Sequence, residues 1–273
     1  MIDQNKWSKI QYIANAMREN SQKLYSAAYF LQYILVILSV ITLFMPSTIN
    51  WILLILIIII ELVSSVINTQ AAKAHHYSRE ALRLLLIHDS MNTSFDQLSY
   101  EFIVENFVIP KGGESNYINP TYYTTSEKRG NSRFSSNLIE SVFYTKSIMQ
   151  KSYKARRLKL VLFSVVFFFS ILFVVILWHP SNIVIVTPVT AVLGYILYDE
   201  ISSLLSTDRT IQKLIHIDSK LSNLISNGNY DLLAWMNLYT EYSIAVSIEN
   251  PVSTSIYKRE REKTRELWLE LEE

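Results

Sequence analysis

The chain has 273 residues, is 50% hydrophobic, and its 25 basic and 24 acidic residues leave a formal net charge of +1. The absence of cysteine excludes a disulfide framework and thiol chemistry, and five glycines are too few for the glycine-rich loops of a dinucleotide-binding fold. The hydrophobic fraction alone is ordinary for a soluble protein, so the distribution of the apolar residues carries the information.

Residues 1–28 are predicted to form a cytosolic amphipathic helix. Its apolar residues recur at helical spacing, at Trp7, Ile10, Ala14, Met17 and Leu24. This spacing places them on one face of the helix. The remaining surface has too few lysines and arginines for a dedicated lipid anchor, so we expect the helix to pack against the cytosolic part of the protein.

Two long blocks of sequence, residues 29–68 and 160–199, contain no lysine or arginine. Each block has about 40 residues, which is enough for two membrane spans of about 20 residues. Turn sequences around Pro46 and Pro180 interrupt the blocks near their middles. The sequence therefore predicts an all-α polytopic membrane protein with two transmembrane hairpins, residues 29–68 and 159–199. The four predicted spans are Tyr29–Met45, Asn50–Asn68, Lys159–Trp178 and Ile183–Asp199.

All lysines and arginines lie outside these blocks, in the N-terminal arm, in the central segment 69–158 with Lys159 directly after it, and in the C-terminal segment 200–273. Because positively charged flanks stay in the cytoplasm, both termini and the central segment are predicted to be cytoplasmic. No signal peptide is expected, since the first apolar block begins only near residue 29 and has no cleavage site. These features predict an inner-membrane protein in contact with the lipid bilayer.

The second predicted span carries a polar stripe on an otherwise apolar helix. The stripe consists of Glu61, Ser64, Ser65 and Asn68, which share one helical face, and Asp199 ends the fourth span. An ionisable side chain inside a span is costly and marks a functional site by default. The stripe and Asp199 are therefore predicted to line an ion pathway. The alternative is that Glu61 is protonated or paired and only holds the helices together.

A single polar stripe is too little to line a water-filled pore. Several copies around an axis would bring several Glu61 side chains together, as closed cyclic symmetry favours. A homo-oligomer is therefore predicted, with a tetramer as the expected assembly.

The cytosolic segments are also predicted to be helical. The second span continues as one helix to Met91, residues 95–107 form a short helix, and a helix resumes at Ser135 and runs into the third span. The fourth span continues to about Ser226, where Gly228 is placed to cap it. Two further helices are predicted at Tyr230–Val246 and Ser255–Leu271.

No catalytic or metal-binding pattern is present. Motifs of the GxxxxGK, HExxH and GxSxG types are missing from the sequence, so neither enzymatic activity nor a cofactor is expected. His75, His76 and His88 are the candidates for a metal site. Adjacent histidines, however, point about 100° apart on a helix, and no cysteine or carboxylate cluster completes a ligand set. No metal is therefore expected.

Short motifs around the loop 110–133 resemble a known family. The matching positions are Tyr122, Tyr123, Gly130 and Arg133 in the loop, Glu140, Ser141, Phe143 and Thr145 in the following helix, and Leu24, Tyr25 and Ala28 upstream. Together with the order and spacing of the spans, they resemble the four-transmembrane effectors associated with bacterial synthetases of oligonucleotide or dinucleotide second messengers. A basic residue is common after the alanine in that family, and this chain has Tyr29 there.

The resemblance implies a pore in the bacterial inner membrane that acts in antiphage conflict. It would respond to an oligonucleotide or cyclic nucleotide made by a partner nucleotidyltransferase, let ions cross the membrane, and cause depolarisation with growth arrest or cell death. The alternative class is a non-conducting, membrane-anchored sensor or scaffold whose cytosolic helices bind a partner.

The loop 110–133 is the predicted site of such a ligand, because bases stack on aromatic rings and phosphates attract cations. The candidate ligand-binding residues are Tyr117, Tyr122, Tyr123, Lys128, Arg129 and Arg133. The loop lies between helices that continue into the second and third spans, so ordering it around a ligand would move them. The alternative is that the tyrosines pack under the loop, the basic side chains are solvated, and the ligand binds among the helices after Asp199.

Overall fold

The computed structural model describes residues 4–42, 45, 47–91, 97–105, 123–176, 183–228, 231–247 and 251–272. Within these ranges the chain forms seven helices and no strand, which confirms the predicted all-α class. The helices are α1 (Gln4–Thr42), α2 (Ser47–Met91), α3 (Gln97–Glu105), α4 (Asn131–Ile176), α5 (Ile183–Ser226), α6 (Leu232–Ser247) and α7 (Thr254–Glu272).

Four of these helices are much longer than a membrane span. Helices α1, α2, α4 and α5 contain 39, 45, 46 and 44 residues, about twice the 20 residues that cross a bilayer. Each therefore combines an apolar half with a polar half that extends beyond it. The N-terminal amphipathic segment is the first half of α1 rather than a separate helix, because no glycine or proline interrupts residues 4–42.

Helices α1 and α2 form an antiparallel hairpin with one constant register. The Ser64 hydroxyl donates to the Ala28 carbonyl at 3.3 Å, and the Ser78 hydroxyl donates to the Ala14 carbonyl at 2.8 Å. The same number of residues separates the two bonds along either helix, so the alignment is kept from the apolar half into the polar half. Serine and alanine at both contacts let the two backbones approach closely.

Three clusters of buried side chains hold the helices together. The first lies in the apolar half, where α1, α2, α4 and α5 meet, and includes Leu35 and Phe163. The second joins α1 and α2 to α3 through Ile13 and Ile103. The third surrounds Trp235 of α6 and joins α2, α4, α5 and α6. The polar halves of the long helices, with α3, α6 and α7, thus form a packed unit that is called the polar domain below.

The apolar half of α2 exposes large hydrophobic side chains. Ile52, Leu62 and Val66 are 69%, 62% and 61% exposed, a surface that is unusual for a soluble monomer. Among the described residues, α1 and α2 each contain a stretch that is long and apolar enough to cross a membrane. The first and second of the four predicted spans therefore lie in helices that are long and apolar enough to cross a membrane. The turn predicted between the other two includes residues 177–182, which lie outside the described ranges.

Two glycines with positive φ lie next to helix termini, one before α4 and one after α5. Gly228, with φ of 60°, follows α5, and its N–H donates to the Ile225 carbonyl at 3.0 Å, which confirms the predicted cap. Gly130 has φ of 139°, a conformation that other residues rarely adopt. Its N–H donates to the Ser90 carbonyl at 2.8 Å, which ties the start of α4 to the end of α2.

Candidate functional site

A cavity lies in the polar domain between α1, α2, α4, α6 and α7. Its volume is about 210 Å³, whereas one water molecule needs only about 10–15 Å³, so the cavity is larger than a packing defect. Five tyrosines line it. The cavity is also lined by five arginines, Arg18, Arg79, Arg83, Arg261 and Arg265.

Helix α2 contributes a row of three side chains, His75, Arg79 and Arg83, which is called the α2 stripe. They follow one another at intervals of four residues, so they lie along one face of the helix. His75 is only 7% exposed, and the Arg79 Nε–H donates to its Nε2 at 3.4 Å. Burial, followed by the charges of Arg79 and Arg18, holds the pKa of His75 well below its usual value. The imidazole is therefore neutral at physiological pH.

Helix α1 brings Arg18 to the same end of the cavity. The hydrogen bond between Ser78 and Ala14 sets the register of the hairpin, and one turn further along, Arg18 and His75 reach the same height. On its other side, the Arg18 guanidinium lies 4.9 Å from the centroid of the Tyr257 ring, which is within the range of a cation–π contact. Arg18 thereby joins the α1–α2 hairpin to α7.

Helix α7 contributes a second row, Tyr257, Arg261 and Arg265, which is called the α7 stripe. These residues also follow one another at intervals of four, and all three line the cavity. Trp268 holds the helix in place, because its Nε1–H donates to the Thr124 hydroxyl at 2.9 Å. The nearly balanced charge of this helix is typical of a helix that only packs, yet its two stripe arginines and its tyrosine face the cavity.

Helices α4 and α6 form the less charged wall. The Tyr239 hydroxyl donates to the Arg83 carbonyl at 3.2 Å. Burial, followed by the charge of Glu140, raises the pKa of Tyr144 to about 12. The Tyr144 hydroxyl therefore stays protonated and can donate a hydrogen bond. This wall offers hydroxyl groups and flat rings where the opposite wall offers positive charge.

The cavity has an excess of positive charge. Its five arginines are accompanied by two carboxylates, Glu80 and Glu140, and Glu80 already forms an ion pair with Arg83 at 3.5 Å. Guanidinium groups stay protonated in proteins, so the excess persists at every physiological pH. Among the described residues, no ion pair is formed by Arg79, Arg261 or Arg265.

The predicted ligand-binding residues of the loop reach this cavity only in part. Tyr123 lines it, whereas Tyr117 and Tyr122 lie outside the described residues. Lys128 is exposed and Arg129 is half-buried, and neither belongs to the cavity lining. The positive charge of the cavity therefore comes mostly from α1, α2 and α7, and the prediction of a ligand site in the loop included none of these helices.

Arg133 contacts protein outside the cavity lining. Its Nε–H donates to Asp89 Oδ2 at 2.8 Å, and its Nη1 donates to the Glu127 carbonyl at 2.9 Å. The Asn137 side chain donates to the same Asp89 oxygen at 2.9 Å. In this arrangement Arg133 anchors the end of the loop to α2 and α4.

Replacing Arg133 with alanine should destabilise the protein by about 1–3 kcal/mol, because a partly buried carboxylate loses its cation. The Asp89 side chain is 11% exposed, so water compensates only in part. Thermal denaturation in detergent checks this expectation. Lys128→Ala, an exposed neighbour, should stay within about 0.5 kcal/mol of the parent protein. An equal melting temperature for both variants would contradict the anchoring role.

The four predicted pore residues of α2 differ in their exposure. Ser64 is buried against α1, where it donates to the Ala28 carbonyl, while Ser65 is exposed. Glu61 is half-buried, and the Asp199 carboxylate of α5 lies near enough to repel it. The second helices of both hairpins therefore place a carboxylate in one region, and Ser64 belongs to the contact between α1 and α2.

A small polar cavity of about 90 Å³ lies between α1, α2 and α5. Asn68 and Asp199 line it, together with Gln32, Glu200 and Ser203. Two of the predicted pore residues thus share one polar space at the boundary between the apolar half and the polar domain.

A buried ion pair joins α4 and α5, the two helices of the second hairpin, beside this space, and its lysine also contacts α1 of the first hairpin. Lys159 of α4 pairs with Glu200 of α5, and the two side chains are only 2% and 6% exposed. The Lys159 ammonium also donates to Gln32 Oε1 of α1 at 2.8 Å and lies 3.3 Å from the centroid of the Tyr29 ring.

Arg156 makes a similar set of contacts one turn before Lys159 on α4. Its guanidinium donates to the Ser203 hydroxyl of α5 and to the Pro251 carbonyl at 3.3 Å. It also lies 5.6 Å from the centroid of the Tyr25 ring of α1. Because Pro251 lies three residues before α7, Arg156 connects the segment that leads into that helix to both hairpins.

The four-residue repeats of the α2 and α7 stripes are visible in the sequence and are a signal that points to the cavity. Such a repeat alone cannot be told from a solvated helix face, and only the packing of the helices around one cavity turns the two stripes into a site. Arginines beside tyrosine rings are the groups that recognise an anionic ligand carrying flat rings. Compared with known proteins, the chain matches no family model, no curated protein and no solved structure.

Proposed function

We propose that the protein is a nucleotide-messenger-gated membrane pore, an antiphage effector that depolarises the bacterial inner membrane and causes growth arrest or cell death. The observation that carries this proposal is the position of the cavity. Helices α1, α2 and α4 supply its walls, and each continues without a break into an apolar half. A ligand in the cavity therefore contacts the helices whose displacement would open or close a pore.

An oligonucleotide or cyclic nucleotide fits the chemistry of the cavity. Guanidinium groups bind phosphate through charge-assisted, often paired hydrogen bonds, and bases stack on aromatic rings. The arginines of the α2 and α7 stripes supply the first kind of group, and Tyr144 and Tyr257 supply the second. A partner nucleotidyltransferase is the proposed source of the ligand.

The proposal includes four membrane spans in two hairpins, with both termini in the cytoplasm. Helix α4 exposes Leu162, Val165 and Phe168 along its apolar half, as α2 does along its own. This similarity supports a lipid-facing position for α4 beside α1 and α2. The polar domain, which holds the cavity, would then lie on the cytoplasmic side.

The pore is proposed to form between copies of the chain. Glu61 and Asp199 come from the second helices of the two hairpins and lie in one region of the protomer. Cyclic symmetry would repeat these carboxylates around an axis, and a ring of carboxylates favours cations. A tetramer remains the expected assembly.

Purified protein in liposomes tests this function. Ion flux would be followed while linear and cyclic nucleotides are added, and we expect at least one nucleotide to change the flux. Glu61→Gln should reduce conductance or cation preference without reducing assembly. Nucleotide binding without flux would support the alternative, a non-conducting sensor or scaffold that binds a partner through its polar domain.

The topology of the proposal can be tested separately. Reporter fusions in the two predicted turns, at Ser47 and Asn182, should give an external signal, because neither turn contains lysine or arginine. Fusions at the C-terminus and in the segment 69–158 should give a cytoplasmic signal. A cytoplasmic signal from either turn would contradict the corresponding hairpin.

A further inference from the structure

We propose that Arg18, His75 and Arg79 form a phosphate subsite at one end of the cavity, and that His75 takes up a proton when the phosphate binds. This inference rests on the proposed binding of a nucleotide in the cavity. It goes beyond that function by stating where a phosphate lies and how its binding depends on pH.

The geometry brings three nitrogen-bearing side chains together from two helices. The antiparallel register sets Arg18 of α1 level with His75 of α2, and Arg79 follows His75 by one turn and contacts it at 3.4 Å. All three line the cavity. His75 is the buried member of the group, so its ring forms part of the cavity wall and not of the outer surface.

Two guanidinium groups around an imidazole favour an anion and repel a metal cation. Arginine offers up to five N–H donors in a planar fork that matches the oxygens of a phosphate. A singly charged carboxylate would compensate only part of the positive charge. A phosphate with up to two negative charges could accept hydrogen bonds from both guanidinium groups, with one oxygen left for the imidazole.

The groups around His75 explain why a bound anion would change its protonation. Arg79 and His76 face it from its own helix, Arg18 from α1, and Arg156 from α4. None of these groups is negative, so a proton on the buried imidazole would add a further positive charge to a cationic cluster. Burial and this repulsion together keep its pKa well below the usual value.

A phosphate between Arg18 and Arg79 would reverse the sign of this local field. Of the two carboxylates in the cavity lining, Glu80 is paired with Arg83 and Glu140 accepts hydrogen bonds from Thr124, so neither serves this purpose. The pKa of His75 should therefore rise in the complex, since an opposite charge at hydrogen-bond distance favours the protonated form. The complex then holds one more proton than the free protein. Affinity should accordingly increase as pH falls between the two pKa values, by at most about tenfold per pH unit.

The test uses the full chain in detergent, labelled with ¹⁵N-histidine, and inorganic pyrophosphate as the probe. Without pyrophosphate, the His75 ring should give the signals of a neutral imidazole at pH 6.5, where an ordinary histidine is half protonated. With millimolar pyrophosphate, its titration midpoint should rise by at least one pH unit. The signals of His76, the exposed neighbour, provide the internal control for a general effect of pyrophosphate.

Variants separate the subsite from general charge effects. Arg79→Ala should weaken pyrophosphate binding at least tenfold and abolish the change at His75. Arg157→Ala, which removes an exposed arginine of α4 outside the cavity lining, should leave both unchanged. His75→Gln should retain binding at pH 8 but lose the strengthening at lower pH, whereas His76→Gln should keep it.

Failure of this inference can be told from failure of the proposed function. In one outcome, nucleotides change ion flux while pyrophosphate neither shifts the His75 signals nor binds more weakly to the Arg79→Ala variant. That result would contradict the phosphate subsite and leave the proposed pore intact. If pyrophosphate shifts the titration midpoint of His75 while no nucleotide changes ion flux, the phosphate subsite is supported and the proposed pore function is contradicted. Equal pyrophosphate affinity in the Arg79→Ala and Arg157→Ala variants, or no binding at all, would overturn the subsite.

Discussion

Replacing Arg79 or Arg261 with alanine should weaken binding of the nucleotide that is proposed to gate the protein by about 10- to 150-fold in each case. Each substitution removes a charge-assisted hydrogen bond that contributes about 1.5–3 kcal/mol. The two arginines belong to opposite stripes of the cavity and form no ion pair among the described residues, so their loss leaves no carboxylate without a partner. We expect normal folding and assembly together with loss of nucleotide-dependent flux. Calorimetric titration in detergent, followed by flux in liposomes, measures both effects.

Two matched variants show whether the effect belongs to the cavity. Lys263→Ala removes a positive charge from α7 two residues after Arg261, on the other side of the helix, and should retain native affinity. Lys128→Ala tests the loop hypothesis in the same assay. If Lys128→Ala weakens binding while Arg79→Ala and Arg261→Ala do not, the ligand lies against the loop 110–133 and the cavity is not the site.

Replacing Lys159 with methionine should destabilise the protein by about 3–5 kcal/mol, the cost of leaving a buried charge without its partner. Glu200, the partner, would keep a carboxylate beside α4 that is only 6% exposed. The ammonium also contacts Gln32 and the Tyr29 ring, so α1, α4 and α5 would all lose a contact. Denaturant titration in detergent measures the change in the free energy of unfolding.

A second substitution and an exposed pair serve as controls. Adding Glu200→Gln to the Lys159→Met variant removes the unpaired charge and should recover most of the lost stability. Lys220→Met breaks the ion pair with Glu241 at 2.9 Å, in which the side chains are 39% and 45% exposed, and should cost no more than about 1 kcal/mol. Equal losses in Lys159→Met and Lys220→Met would mean that water reaches the buried pair and that the pair does not hold α4 and α5 together.

The existence and approximate bounds of the helices follow from local sequence alone. Apolar residues at spacings of three and four predict α3, α6 and α7 to within about three residues of the observed ends, a normal uncertainty for helix termini. The continuation of the second span to Met91 was also predictable, because α2 contains no glycine or proline. Gly228 ends α5 as its residue type suggests, since glycine adopts a positive φ without steric cost.

The loop hypothesis shows where local reasoning fails. Tyrosines and basic residues are dense around Tyr123, and this density predicted a ligand site there. In the folded chain, however, Arg133 contacts Asp89. Only Tyr123, of the described loop candidates, lines the cavity. Composition indicates which groups are available in a segment, but it does not indicate which of them are already bound to another part of the chain.

By itself, the sequence determined the all-α class, the ends of most helices and the division of the long helices into apolar and polar halves, because these properties depend on residues only a few positions apart. Tertiary structure decided the rest. Arg79 and Arg261 are far apart in the chain and reach one cavity only because α2 and α7 both border it. Likewise, Lys159 is an ordinary basic flank of a predicted span in the sequence, and only packing makes it a buried link from α4 to Glu200 of α5 and to Gln32 and Tyr29 of α1. Contacts of this kind depend on which helix faces meet, and the periodicity of a single helix contains no information about its neighbours.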